Sequence, residues 1–135
     1  MSLAIGKLRG MTPELEAKLK ARGLKDTDAL FNAALTPKDR RELAAYAGVS
    51  EQTILELANR ADLARIKGIA GVYSDLLEEA GVDTVRELAQ RDPENLHAQL
   101  LEINAQKALT ARPPALKTVK TWVSLARRRR KFLQY

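Results

Sequence analysis

The architecture of this chain is indicated most clearly by one segment, Arg65-Ile66-Lys67-Gly68-Ile69-Ala70-Gly71-Val72-Tyr73. From its end onward, apolar residues recur at the i, i+3, i+4 and i+7 spacing of one helix face, at Tyr73, Leu76, Leu77 and Ala80. Gly68 stands where the chain must turn sharply and Gly81 where the next helix must stop, because glycine adopts positive φ without a steric cost. The segment therefore predicts two helices joined by a tight turn.

A related pattern occurs earlier in the chain. Without a gap, apolar and glycine positions align in pairs: Leu8 with Ile66, Gly10 with Gly68, Met11 with Ile69, Leu15 with Tyr73, Leu19 with Leu77, Gly23 with Gly81, Leu24 with Val82 and Leu30 with Leu88. Farther on, residues 53–61 match residues 118–126, which pairs Leu57 with Trp122, once about eight extra residues are allowed before the second set. We therefore predict a duplication of a unit of about 60 residues.

Helix signals dominate the whole sequence. Alternation of apolar and polar residues never persists, and Ala, Leu, Glu, Lys and Arg fill the long segments. Thr12-Pro13, Thr36-Pro37 and Asp92-Pro93 each place a capping side chain before a proline at the first helical position. The prediction is an all-α fold of two tandem multi-helix units packed with approximate twofold symmetry.

The predicted unit boundaries follow the duplication. The first unit is residues 1–62, the second is residues 63–126, and residues 127–135 form a basic C-terminal tail. Residues 51–67 contain neither proline nor glycine, so the last helix of the first unit is expected to run nearly into the turn of the second. This favours one compact body. The alternative is two independent domains on a flexible linker.

Length and composition are those of a single domain without covalent cross-links. With 135 residues, 45% of them hydrophobic, the chain is long enough to bury one core. It has no cysteine, which excludes disulfides and thiolate metal sites. It shows neither a secretory leader pattern nor an apolar run of about 18 residues. We therefore expect a cytoplasmic protein.

Several segments of this chain are similar to those of a known family. They are Gly10-Met11-Thr12-Pro13, residues 61–68, residues 80–88 and Asp92-Pro93-Glu94-Asn95-Leu96. The chain up to about residue 126 resembles an uncharacterised, mainly bacterial family of duplicated helix-hairpin-helix proteins that carries a domain-of-unknown-function label. The resemblance implies helix-hairpin-helix (SAM-like) units. Because such modules in general bind DNA through backbone phosphates, it also implies nucleic-acid binding by analogy of fold.

The turns are the candidate phosphate contacts. The stronger candidates lie in the second turn and the weaker ones in the first: Arg65, Lys67, Gly68, Ala70 and Gly71, then Lys7, Arg9, Gly10 and Thr12. DNA-binding hairpins of this type have a Gly-apolar-Gly turn, which opens a helix whose N–H groups face a phosphate. Here Ala70 and Thr12 replace the second glycine, and Glu14 would repel phosphate. The alternative is that both hairpins only hold the two units together.

The net charge of +6 is concentrated in the tail. Residues 1–62 hold 10 Lys and Arg against 9 Asp and Glu, and residues 63–126 hold 8 against 8. The remaining cations are Arg127, Arg128, Arg129, Arg130 and Lys131, which are predicted to continue the preceding helix. So many adjacent cations exceed what a helix dipole stabilises, and such a block is typical of a tail that contacts a polyanion or an acidic protein. The alternative is a merely solvated tail.

Catalysis has no recognisable motif in this sequence. The single histidine, His97, is interpreted as a surface or half-buried residue, and no Walker loop, nucleophile elbow or dinucleotide fingerprint is present. We therefore expect no enzymatic activity, no cofactor and no bound metal. A membrane surface is not an expected partner, because the few apolar residues of the tail are too few for firm anchoring.

Two interpretations of function follow from these observations. The leading one is a noncatalytic nucleic-acid binder that contacts the phosphates of DNA or RNA without reading sequence. The alternative is a protein-interaction or scaffold module whose basic tail docks an acidic partner. The sequence indicates no oligomeric state.

Overall fold

The computed structural model describes residues 3–69, 71–129 and 133–135, and the regular structure in these residues is helical. A short 3-10 helix, Ile5–Lys7, comes first. The α-helices are α1 (Pro13–Ala21), α2 (Thr27–Ala33), α3 (Pro37–Ala47), α4 (Glu51–Ala64), α5 (Val72–Glu79), α6 (Val85–Gln90), α7 (Pro93–Lys107) and α8 (Leu116–Arg127). Extended pairing in the described residues is limited to an isolated antiparallel bridge between Ala4 and Asp26. The predicted all-α fold class is confirmed.

Capping side chains begin three helices where the sequence predicts them. Thr12, Thr36 and Asp92 each accept a hydrogen bond from the backbone N–H three residues later, at 3.0 to 3.2 Å, and a proline follows each. Each bond satisfies one of the N–H groups that a helix start leaves unpaired, and its loss typically costs about 1 kcal/mol. The helix starts at Pro13, Pro37 and Pro93 are therefore determined locally.

Buried apolar side chains form two clusters along the chain. The first is drawn from residues between Ile5 and Ala61 and also contains Leu133. The second is drawn from residues between Leu63 and Ala126. The change from one cluster to the other falls inside α4. This helix therefore contributes most of its length to the first core and its last turn to the second.

The same helix pairs pack together in each half of the chain. In the first half α1 contacts α3, α2 contacts α4 and α3 contacts α4. In the second half α5 contacts α7, α6 contacts α8 and α7 contacts α8. The two halves meet where α4 also contacts α5 and α6. Three helix pairs of the first half therefore have counterparts in the second, whereas the contact of α2 with α3 has no counterpart of similar extent between α6 and α7.

Both turn glycines have positive φ and lie against the last helix of their own half. Gly10 has φ 88°, and a Cβ at this position would lie 3.9 Å from the Leu57 side chain. Gly68 has φ 93°, and a Cβ there would lie 3.0 Å from Nε1 of Trp122. Leu57 and Trp122 are paired by the sequence alignment. The approach is tight only at Gly68, where the indole would have to shift for a Cβ; at Gly10 the Leu57 distance is an ordinary van der Waals contact, and the nearest atom is Nη1 of Arg60, at 2.8 Å.

The predicted continuation of the last helix into the basic tail is wrong. Helix α8 ends at Arg127, and Arg128 caps its C-terminus. Leu133 lies in the first core, with only 2% of its surface exposed. A straight helix could not return an apolar side chain to the opposite half of the molecule, so the chain leaves the helical path after α8.

Candidate nucleic-acid interface

The first turn and the start of α5 share one cleft of about 240 Å³. Its wall is formed by Leu3, Lys7, Leu8, Arg9, Arg60, Ala64, Gly71, Ser74 and Asp75. Of the predicted site residues, the cleft therefore brings together Lys7 and Arg9 from the first turn with Gly71 from the second. The cations on its wall come from the first half, and the helix start comes from the second.

Arg9 and Arg60 fix the first turn against α5. The Arg9 guanidinium lies 2.9 Å from a carboxylate oxygen of Glu78 and 3.6 Å from one of Asp75. Arg60 pairs with the other oxygen of Glu78 at 2.7 Å and donates to the backbone carbonyl of Arg9 at 3.0 Å. These contacts join the halves, and they offset much of the positive charge that both arginines bring to the cleft.

The start of α5 has no side-chain cap. Gly71 is its N-cap, with φ 56° and ψ −124°, and no side chain of the described residues accepts a hydrogen bond there. In α1, by contrast, the N-cap is Thr12, whose hydroxyl accepts a hydrogen bond from the N–H of Leu15. The first N–H groups of a helix carry partial positive charge, so an uncapped start adjoining a cleft favours an anion. Ala70 lies outside the described residues.

The cations of the second turn have different surroundings. Lys67 is exposed and, like Lys7, forms no ion pair with any residue that the structure describes. Arg65 is half-buried, pairs with Asp62 at 3.2 Å and places its guanidinium 4.0 Å from the centre of the Phe31 ring. Arg65 is thus engaged inside the fold, whereas Lys7 and Lys67 remain available to a ligand.

Asp62, the partner of Arg65, is a buried carboxyl group. Only 4% of its surface is exposed, and burial raises its pKa from 3.8 to about 6, although Arg65 and Arg129 act in the opposite direction. Arg129 follows α8 and is half-buried, and burial lowers the pKa of its guanidinium. Its Nε is buried without a hydrogen-bond partner in the described part of the chain.

The other described tail arginines contact backbone carbonyls. Arg127 donates to the carbonyl of Ala89 at 2.9 Å and to that of Arg91 at 3.3 Å, at the end of α6. Arg128 donates from Nε to the carbonyl of Ser124 at 3.4 Å, within its own helix end. Both side chains stay at the surface, so these contacts leave part of each guanidinium open to solvent. Arg130 and Lys131 lie outside the described residues.

Sequence reasoning missed the role of Arg60. It lies on α4, and the acid that it contacts, Glu78, lies on α5. Helical spacing relates residues three and four apart, so it carries no signal for a pair between helices. The sequence of the first turn indicated Arg9 as a candidate contact. Arg60 can be recognised as its neighbour only from the packing of α4 against α5.

Among the helices of the described residues, none combines the length and apolar character needed to cross a bilayer. The same residues contain no group of three or more His, Asp or Glu side chains arranged to hold a metal ion. Comparison with curated proteins gives no match, and comparison with solved structures gives none. A family match over residues 9–129, most of the chain, shows that the protein belongs to the family described as Domain of unknown function (DUF4332).

Proposed function

We propose that this chain is a duplicated helix-hairpin-helix protein that binds nucleic-acid phosphates without catalysis and without reading sequence. The observation that carries the proposal is the cleft in which Lys7 adjoins the start of α5 at Gly71, since within the described residues Lys7 has no ion-pair partner and α5 has no side-chain cap. An ammonium group and free helix N–H groups are both donors to a phosphate oxygen. Lys67, exposed on the second turn, supplies a further cation.

The duplication rests on correspondences between the halves. Three of the packing pairs among α1 to α4 recur among α5 to α8, and the aligned residues Leu57 and Trp122 both face a turn glycine. The passage from one core to the other lies within α4, close to the boundary between residues 1–62 and 63–126. Contacts of α4 with α5 and α6 support one compact body with approximate twofold symmetry over two flexibly linked domains.

The number of available cations sets the expected salt dependence. On duplex DNA each neutralised phosphate contributes about −0.9 to the slope of log K against log salt. Lys7 and Lys67 alone would give a slope of about −1.8, and the whole block from Arg127 to Lys131 would add about −4.5. Because Arg127 and Arg129 have contacts within the fold, we expect a slope nearer the smaller value.

The test is a fluorescence polarisation titration with random-sequence duplex DNA. Raising salt from about 50 to about 200 mM should weaken binding by roughly tenfold at a slope of −1.8. The double variant Lys7→Glu, Lys67→Glu should abolish binding at the higher salt. The matched control is Lys38→Glu, Lys117→Glu, which makes the same charge change at exposed lysines outside both turns. Equal binding by the two double variants would refute the two turns as the site.

A protein-interaction module is the second candidate function. It is favoured by the ion pairs that occupy Arg9, Arg60 and Arg65, which leave the body with balanced charge and few free cations. Under this alternative the basic tail docks an acidic protein partner. The titration separates the two candidates, since an interaction module gives no DNA binding even at about 20 mM salt, where phosphate contacts are strongest.

A further inference from the structure

The last residues of the sequence lie in a groove of the first half of the molecule. Leu133 is buried in the first core although helix α8, which precedes it, packs in the second. Among the described residues, it is the one member of the first cluster that comes from beyond α4. Leu133 therefore packs in the half of the molecule opposite to the helix that precedes it.

The residue after Leu133 is held through its backbone. The N–H of Gln134 donates to the carbonyl of Leu35 at 2.7 Å, and its own carbonyl accepts from Nη2 of Arg40. The Gln134 residue itself is exposed. A buried anchor, paired backbone groups and a free side chain between anchors are the contacts by which proteins bind extended peptides.

Arg40 is shaped to receive a backbone carbonyl. Only 5% of its surface is exposed, and its Nη1 donates to the carbonyls of Ala34 and Leu35, at 2.9 and 3.2 Å. Its guanidinium forms no ion pair with the described residues. Its hydrogen bonds to these residues all end on backbone oxygens. A buried guanidinium that is fixed at Nη1 leaves Nη2 directed at the bound segment, and an empty groove would leave that donor unsatisfied.

Tyr135 supplies a second side-chain anchor. Its hydroxyl donates to Oδ1 of Asn59 at 2.6 Å, and the guanidinium carbons of Arg40 and Arg86 each lie 5.9 Å from the centre of its ring. Asn59 belongs to α4 and Arg86 to α6, so the ring is positioned by both halves. Tyr135 remains 59% exposed, which makes Leu133 the deeper anchor.

We propose that this groove, formed by Leu35, Arg40 and Asn59, is a binding site for extended protein segments of the type Leu-X-Tyr. In this structure residues 133–135 occupy it as an intramolecular ligand. The segment is held by the buried Leu133 side chain, two hydrogen bonds of the Gln134 backbone, the Tyr135 hydroxyl and the two guanidinium groups beside the Tyr135 ring. An external segment of the same type presents the same groups. Tethering gives the chain's own segment an effective concentration in the millimolar range, which keeps the groove closed to weak competitors.

The test measures binding of a labelled peptide with the sequence of residues 127–135, acetylated and amidated at its ends. The protein variant is the full chain with Leu133→Ser and Tyr135→Ala, which releases the segment and leaves the groove intact. This variant should bind the peptide at least tenfold more tightly than the unaltered chain does. The control peptide carries the same two substitutions, so it keeps every basic residue and tests whether charge alone explains binding.

The result that would overturn the proposal is equal binding of the two peptides, or equal affinity of the variant and the unaltered chain. Circular dichroism of the variant shows whether it folds. If it does not fold, the unaltered chain still decides the matter by NMR. Millimolar native peptide should shift the Gln134 amide resonance as the segment is displaced, and an unmoved resonance would reject an exchangeable groove.

Discussion

The starts of α1 and α5 occupy corresponding places in the proposed repeat but are built differently. Thr12 caps α1 with its hydroxyl, whereas Gly71 begins α5 without a side-chain cap. The first turn of α1 carries Glu14 and Glu16, and that of α5 carries Asp75, which faces Arg9. Carboxylates in a first turn offset the positive end of the helix dipole. The start of α1 is thus satisfied from within, and the start of α5 is the one that favours an external anion.

Helices α4 and α8, the last helices of the two halves, also end in different surroundings. The alignment that pairs Ala61 with Ala126 places Asp62 opposite Arg127. Asp62 is buried where α4 meets the second half, whereas Arg127 lies exposed at the end of α8. The apolar pattern of the unit is common to both halves, and the polar residues vary with what surrounds each copy. Under the proposed duplication, a shared apolar pattern therefore does not imply a shared site.

The largest effect on stability should come from truncating the corresponding core residue of each half. Trp122 and Leu57 are each 1% exposed. We expect Trp122→Ala to lower the free energy of unfolding by about 4 kcal/mol and Leu57→Ala by about 3 kcal/mol, since the larger side chain leaves the larger cavity. Urea unfolding followed by circular dichroism measures both. A biphasic curve for Trp122→Ala would show that the halves unfold separately and would contradict the single compact body.

A smaller effect is expected from the titration of Asp62. Its pKa is raised from 3.8 to about 6 in the folded state, so the folded protein binds more protons than the unfolded chain between these values. Stability contributed by the protonated group is present below about pH 4 and is lost as the pH rises through 6. The shift corresponds to about 2 to 3 kcal/mol.

The variant Asp62→Asn isolates this contribution from the other carboxyl groups. Its stability relative to the unaltered chain should improve by about 2 kcal/mol between pH 4 and pH 7. Thermal unfolding at a series of pH values measures the difference. The aligned variant Arg127→Gln is the control, because it replaces a charged side chain by an amide at the corresponding position and leaves every carboxyl group in place. Parallel curves for Asp62→Asn and the unaltered chain would show that burial does not raise the pKa.

The sequence predicted what short-range chemistry determines. Helix starts at Thr12, Thr36 and Asp92 followed from residue types that act within one turn, and the all-α class followed from helical spacing. The partners of Arg9 and Arg60 were not predictable, because they depend on how α4 packs against α5. The burial of Leu133 in the first core was also not predicted. An apolar residue after a run of cations carries no local signal that it belongs to a core on the other half.

The smallest effect concerns the two turn glycines. Alanine at either position must adopt positive φ, which costs about 1 to 2 kcal/mol. At Gly68 the new Cβ also meets the buried Trp122 ring at 3.0 Å, whereas at Gly10 it meets the guanidinium end of Arg60, which can move. We therefore expect Gly68→Ala to cost about 1 kcal/mol more than Gly10→Ala, measured by urea unfolding.

The matched controls for this comparison are Gly81→Ala and Gly23→Ala. Both glycines have positive φ, but a Cβ at either would have no atom within 4 Å, so these variants report backbone strain alone. The stability loss of Gly68→Ala minus that of Gly81→Ala gives the cost of displacing Trp122. The stability loss of Gly10→Ala minus that of Gly23→Ala gives the cost of moving Arg60. The first difference should exceed the second, because an indole ring fixed in a close-packed core has less room to relax than a long side chain in a cleft. If the two corrected stability losses are equal, the Trp122 ring is displaced at no greater cost than the Arg60 side chain, and the second turn is no more tightly packed than the first.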